Sequence, residues 1–197
     1  MSAVQEDAGL RARLVAVGVE LLASDGIQAL TLREIARRAG VSHGAPRRYF
    51  PTHVELLSAI AGQGFAELAE TVGATLADGP EAGPRAQLAA LGRAYLDFSL
   101  AHRGMFELMF RHDLLESNRL GLRESSLPLF GVLVDLVAQA RPGSGTAPEV
   151  AAAALWANLH GIAQLWASRS LQLASGAEDF GPLLDAALDA HLGPDTA

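Results

Sequence analysis

The sequence predicts an all-α protein in which a small helical head precedes a larger helical body. Three observations predict it. Apolar residues recur at spacings of three and four along most of the 197 residues, the period of an amphipathic helix. The interruptions fall at glycine- and proline-rich stretches. No segment alternates apolar and polar residues for more than a few positions, as a half-buried strand would. With half of the residues hydrophobic and 19% charged, the chain can bury a core and is expected to fold.

Each element has its own signal. Leu10, Leu14, Val17 and Leu21 trace the first helix, and Asp25-Gly26 closes it. "TLRE" from Thr31 is a capping box, in which a Thr hydroxyl and a Glu carboxylate satisfy free amides at a helix start. Gly40 ends that helix after Ala39. Ser42 then has the chemistry of an N-cap for a short helix that Pro51 stops. Pro46, as its fourth residue, would forfeit at most the first intrahelical bond. A second capping box, "THVE" from Thr52, opens a long helix along Val54, Leu57, Ala61, Phe65, Leu68, Val72 and Leu76. "DGPEAGP" (78–84) and "RPGSGTAP" (141–148) are the clearest breaks. Helices are expected at 85–101, 104–116 and roughly 119–140 between them, with Pro128 near the start of the last. Two more are expected near 149–173 and 179–191, about nine in all. There is no internal repeat.

Composition excludes several chemistries. The chain has no cysteine, which removes disulfides, thiolate metal sites and thiol nucleophiles. It has neither a signal-peptide pattern nor an apolar run of membrane-spanning length, so a soluble, cytoplasmic protein is expected. No cofactor is implied. Net charge is −7, but it is unevenly placed: residues 1–53 hold seven Arg against five acids, and 54–197 eight Arg against seventeen. A cationic head on an acidic body suits local contact with a polyanion, because charges act within about 10 Å at ordinary salt.

The head carries the chemistry. Residues 31–50 form two short helices around a glycine turn, the helix-turn-helix arrangement whose second helix enters the DNA major groove. At 100° per residue, His43, Gly44, Arg47 and Arg48 share one face. Val41, Pro46, Tyr49 and Phe50 turn the other way, toward Ile35, Ala36 and Ala39. Arginine chelates the N7 and O6 of guanine or clamps a phosphate. Gly44 adds no side chain to hinder close approach. Arg37 and Arg38 read as a solvated face.

The stretch "ALTLREIARRAGVSHGAPRRYFPTHVELLSAI" resembles the DNA-binding domain of TetR-type transcriptional regulators, whose pattern is T-x-R-E-I-A-x-x-A-G-V-S-x-G-x-x-x-x-Y-F-P. The resemblance implies that Thr31, Arg33, Ser42, His43, Gly44 and Ala45 approach bases or phosphates. It implies that Arg47, Tyr49 and His53 hold the DNA backbone. The chain departs from the pattern twice: Arg47 stands where the family usually has an aromatic residue, and His53 where it has Lys. A histidine there would give a weaker, pH-dependent phosphate contact.

For the body, "RGMFELMFRHDLL" (103–115) and "ALWANLHGIAQLW" (154–166) resemble the C-terminal domain of a TetR-type subgroup marked by W-x-x-x-H-G, here Trp156, His160 and Gly161. The division implied is a DNA-binding domain at 1–52 and a ligand-sensing, dimerising domain at 53–197. The helices near 149–173 and 179–191 would pair with those of a second subunit. Candidate ligand contacts are His102, Phe106, Met109, Phe110, Phe130, Trp156 and His160, which with Tyr95, Phe98 and Met105 supply most of the bulky adaptable side chains. Met and aromatic residues at helical spacing are also the ordinary makings of a core. The implied function is a homodimeric repressor, released from a palindromic operator by a small, largely hydrophobic ligand. An activator or a ligand-independent DNA-binding protein of the same fold is the alternative. Gly62, Gly64 and Gly73 are candidate points of give in the connecting helix, or helix contacts. An all-α enzyme is the rival class, with His102 or His112-Asp113 as acid–base groups, but no metal-ligand or phosphate-loop motif accompanies them.

Overall fold

A computed structural model of the chain describes residues 3–118, 120–141, 143 and 145–194, with side chains described from residue 9 onward. In chain order the helices are α1 (Ala3–Asp25), a 3-10 turn (Ile27–Ala29), α2 (Leu32–Arg38), α3 (Pro46–Tyr49), α4 (His53–Asp78) and α5 (Pro84–Ala101). There follow α6 (Arg103–Met109), α7 (His112–Ser117), α8 (Leu122–Ala140), α9 (Pro148–Ala167), α10 (Ser170–Ser175) and α11 (Gly181–Leu192). No strand occurs among the described residues. None of their helices is long and apolar enough to cross a membrane.

The described residues form eleven α-helices rather than about nine, because two expected helices are each divided. Residues 104–116 break at Arg111, whose extended backbone (φ −66°, ψ 125°) starts α7. Residues 149–173 break at Arg169, which adopts a left-handed conformation (φ 62°). The serines around it favour the break: Ser168 Oγ donates to the Leu165 carbonyl at 3.0 Å and lies 2.9 Å from Ser170 Oγ. Such hydroxyls compete with the backbone for helix hydrogen bonds. Pro128 is likewise deeper than expected. Helix α8 begins at Leu122 and carries Pro128 inside it, where Pro128 and Glu124, the residue four before it, are both exposed.

Both capping signals mark real helix starts. Thr52 and Glu55 form the full reciprocal box, with Glu55 N–H donating to Thr52 Oγ1 at 3.2 Å and Thr52 N–H to Glu55 Oε2 at 3.3 Å. Thr31 Oγ1 accepts from Glu34 N–H at 3.2 Å, but the Glu34 carboxylate turns instead to two arginines. Ser42 is not a side-chain cap. The chain from Ser42 to Ala45 is a turn closed by Ala45 N–H to Ser42 O (3.0 Å), and α3 begins with Pro46 in its first turn. Proline is suited there, since its missing N–H has no intrahelical acceptor to lose. The "DGPEAGP" break lies between α4 and α5. Of the second break, Pro142 and Ser144 lie outside the described residues.

By compactness the chain forms two units, 1–67 with 104–125, and 68–103 with 126–197. The boundary expected at residue 52 follows the motif, whereas packing carries the start of α4 into the first unit. Leu56, Leu57 and Ile60 there are buried to within 1% along with Leu14, Leu21, Leu30, Ile35 and Phe50. Each such side chain contributes about 1.5–3 kcal/mol when fully buried. Gly18 lets α1 cross closely, since a Cβ there would run into Ile60. Phe50 closes the core beneath the Arg11 guanidinium, 5.1 Å from its ring centroid. Within the second unit α5, α9 and α11 pack together, with Leu88, Leu96, Leu155, Leu184 and Leu188 buried. Arg85 ties α5 to the end of α11 through Asp189 and the Gly193 carbonyl.

Candidate functional site

In the first unit, the face read from sequence is exposed. Thr31, Arg33, Ser42, His43, Gly44, Arg47, Arg48 and His53 are all exposed, while Ala45 and Tyr49 are half-buried. Within the 42–48 stretch, Arg47 and Arg48 present themselves from regular helix, whereas His43 and Gly44 come from the preceding turn, so helical angles do not place those two. The opposite side is core as expected, with Pro46 and Phe50 buried. Val41 N–H bonds the Ala36 carbonyl at 3.0 Å and holds the turn against α2. Gly40 (φ 66°) supplies the left-handed residue that turn requires.

Gly44 differs from Gly40. Its φ is not in the left-handed region, and a Cβ added there would meet nothing within 4 Å. Nothing inside the described chain requires glycine at this position.

The arginines separate into two kinds. Arg37 chelates Glu34 (2.6 and 2.8 Å), and Arg38 bonds both Glu34 (3.1 Å) and Asp25 (2.8 Å), fastening α2 to the end of α1. They are exposed, yet paired rather than merely solvated. The Arg37 and Arg38 guanidiniums hold the Glu34 carboxyl at about 2, well below its ordinary 4.5. Among the described residues, Ser42, His43, Arg47 and Arg48 have no side-chain hydrogen bond or ion pair within the chain.

His53 has a second engagement. Its Nε2 bonds the Leu30 carbonyl, just before α2. His53, Thr31, Leu30, Ile27 and Gln28 line an open cleft of about 490 Å³ with Glu107 and Arg111. A donor committed to a protein carbonyl is less available to a phosphate. That role was not readable from the motif, because the partner lies 23 residues earlier.

The candidate ligand residues divide between the units. Phe106 and Met109 are buried in the first, where Phe110 stands edge-on to Phe65 at 5.8 Å and to Phe106 at 4.9 Å. A Cβ on Gly64 would come within 2.6 Å of Met105 and Met109, so Gly64 is a helix contact. Gly73 and Gly62 have room, nothing lying within 4 Å of the first and only Leu122 (3.8 Å) near the second. In the second unit His102 is exposed and packs on Phe98 at 4.8 Å. Phe130 meets Trp156 edge-on at 6.2 Å, and Trp156 and His160 lie 6.0 Å apart.

Tyr95 joins these last residues. Trp156 Nε1–H donates to the Tyr95 hydroxyl at 3.2 Å, and that hydroxyl lies 2.8 Å from His160 Nδ1. Burial pushes the Tyr95 phenol above its ordinary value and the His160 imidazole below its own. Both groups are therefore held neutral.

The groups considered for catalysis do not converge. His112 is 89% exposed and pairs with Glu116 at 3.4 Å, while Asp113 pairs with Arg111 at 2.6 Å. The described residues contain no group of three or more acids or histidines able to hold a metal ion.

Comparison with known proteins agrees with both halves of this description. Residues 14–60 match the family described as "Bacterial regulatory proteins, tetR family", and residues 88–191 match "Tetracyclin repressor-like, C-terminal domain". Among solved structures, a protein of unknown function from Rhodococcus sp. RHA1 is 32% identical, with a TM-score of 0.78 over 93% of both chains. A TetR transcriptional regulator from Streptomyces coelicolor is 30% identical, with a TM-score of 0.54 over 95% of this chain and 99% of that one. RolR in complex with its ligand resorcinol shares the fold at 22% identity and a TM-score of 0.70, over 98% and 91%. No curated protein matches the chain significantly.

Proposed function

This chain belongs to the TetR family of bacterial regulatory proteins, DNA-binding regulators rather than enzymes, and from that premise we propose that it is a homodimeric transcriptional repressor. It leaves a palindromic operator when a small, largely hydrophobic molecule binds the second unit. Its place of action is the cytoplasm, where the DNA is.

The exposed turn and helix at 42–48 is the observation that carries this reading. It gathers two arginines without partners among the described residues, a hydroxyl, a histidine and a glycine whose missing side chain serves nothing in the described chain. Arg47 and Arg48 supply the base-edge or phosphate donors, and Gly44 lets the turn approach the DNA backbone. Thr31 and Arg33 at the start of α2, with Ala45 and Tyr49, complete the contact. His53 adds to it only through the nitrogen that does not bond Leu30.

Dimerisation is supported by α9. Across its 20 residues Glu149 is the only residue with a formal charge. Its exposed side holds Val150, Ala154, Ala157 and Leu165 with the uncharged Asn158 and Gln164, Val150 being 61% and Leu165 47% exposed. A long helix face without charge is costly to leave in water, and α9 with α11 offers it to the same pair in a second copy. Two-fold symmetry then sets two recognition helices on half-sites one or more DNA turns apart.

The second unit is the sensor. The similarity in fold to RolR, which holds resorcinol, supports a small ring compound as the kind of molecule bound. Ligand favours one arrangement of the dimer and DNA another, so each lowers affinity for the other by the same factor.

Selection of bound sequences from random duplex DNA by the purified protein tests the proposal. A palindromic consensus occupied by two protomers is expected. Enrichment of no sequence, or of an asymmetric site bound by one protomer, contradicts it.

A further inference from the structure

The arginines of the first unit sort by what they hold. Arg37 and Arg38 bond Glu34 and Asp25, Arg111 bonds Asp113, and Arg123 bonds the Leu115 and Glu116 carbonyls. Arg11, Arg13, Arg33, Arg47 and Arg48 make no hydrogen bond or ion pair among the described residues. Three of these belong to the DNA-facing surface already described. The other two, Arg11 and Arg13, belong to α1.

Helix geometry separates that pair. Leu14, Val15 and Gly18, three, four and seven positions after Arg11, are all buried, so Arg11 stands at the inward edge of α1. Arg13 is about 200° away around the axis and shares its side with exposed Ala16 and Glu20. The Arg11 guanidinium lies 5.1 Å from the centre of the Phe50 ring, within the reach of about 6 Å that defines a cation–π contact. Phe50 is fully buried and directly follows α3, its N–H donating to the Pro46 carbonyl at 2.8 Å. Helix α1 also packs against α3. Arg11 is therefore fixed to the end of the helix that carries Arg47 and Arg48. Stacking uses the face of a guanidinium and leaves its in-plane N–H fork free.

We propose that Arg11 is a phosphate contact of the DNA interface, held on the Phe50 ring so that its fork stands ready beside the end of α3. This rests on the reading of 42–48 as the DNA-facing surface. A helix seated in the major groove runs between phosphate strands about 12 Å apart, and a cation fixed at its end meets one of them. Such a contact carries charge and no sequence information, so it adds affinity alike on every duplex.

Salt titration of DNA binding by the full chain tests this, on duplex from upstream of its own gene and on a scrambled duplex. Each phosphate contact contributes about 0.9 to the slope of log affinity against log salt. Arg11→Gln keeps most of the stem over the core and removes the charge. It should lower the slope by about one on both duplexes and leave the preference between them unchanged. Arg11→Lys restores the charge and should restore the slope, with the flat stacking on Phe50 lost. Arg13→Gln removes the same charge from the other side of α1 and should leave the slope as in the wild type. Weaker binding by Arg11→Gln at every salt concentration with the slope intact would overturn the inference, leaving Arg11 a brace of the Phe50 core. An equal fall in Arg13→Gln would overturn it too, since net charge alone would then suffice, as would a slope that Arg11→Lys fails to restore. In each of these cases the wild type still binds DNA, and the regulator reading stands. Binding of neither duplex by the wild type would defeat the DNA-facing reading and this inference together.

Discussion

The two units place their polar residues in opposite ways. In the first, Arg47, Arg48, Ser42 and His43 stand outside and lack side-chain partners among the described residues. In the second, Tyr95, Trp156 and His160 turn toward one another. An exposed donor set is fitted to a large polar partner that arrives with its own charges. A set of polar groups turned on one another within apolar packing is fitted to tie helices together and to leave few polar atoms facing outward. The difference teaches where to look for each function: on the surface for DNA recognition, and within the helix packing for the effector.

That contrast can be broken from the core side first. Phe50 is fully buried, so Phe50→Ala should destabilise the first unit by about 3–5 kcal/mol in chemical denaturation. A loss below about 1 kcal/mol would mean that the recognition helix does not depend on that core. Next comes the surface. Arg47→Ala should weaken operator binding by about 1–3 kcal/mol while the thermal midpoint stays put. If Arg47 reads guanine, discrimination at one base pair relaxes; if it clamps phosphate, all sequences weaken alike and the salt slope falls by about one. Gly44→Ala should lower operator affinity by about tenfold, roughly 1.4 kcal/mol, with stability unchanged because its Cβ has room. Unaltered DNA affinity in that variant would remove the close approach at Gly44.

The smallest effect is in acid. Glu34 holds its proton only below about 2 when folded, because Arg37 and then Arg38 bond its carboxylate, whereas its ordinary value is 4.5. The folded value is depressed, so the stabilisation is complete above 4.5 and is lost as pH falls from 4.5 toward 2. Glu34→Gln should flatten the stability profile in that window and leave neutral pH nearly unaffected. Urea midpoints across the acid range read this directly.

The head was legible in the sequence because its signals are local. Thr31 and Glu34, Thr52 and Glu55, and the Gly40 turn act within a few residues, and a motif spanning 31–53 orders them. Local signals also misled. Ser42 has the chemistry of a cap, yet the turn to Ala45 leaves Pro46 to start the helix. The breaks at Arg111 and Arg169 carry no glycine or proline, so periodicity ran through them. His53 was placed by its motif position, while its bond to Leu30 spans 23 residues. The Tyr95–His160 hydrogen bond in the second unit joins residues 65 apart, a distance over which spacing says nothing. Gathering Met109 and Trp156 into one candidate set rested on residue type, and packing assigns them to different units.

Fluorescence anisotropy of the purified protein, on duplex DNA from upstream of its own gene and on a scrambled duplex, tests the central claim most directly when run at two salt concentrations. The account predicts a preference of about a thousandfold or more for the upstream duplex, with two protomers bound per site. Equal affinity for both duplexes, falling steeply with salt, would reduce the exposed arginines to general phosphate contact and contradict it.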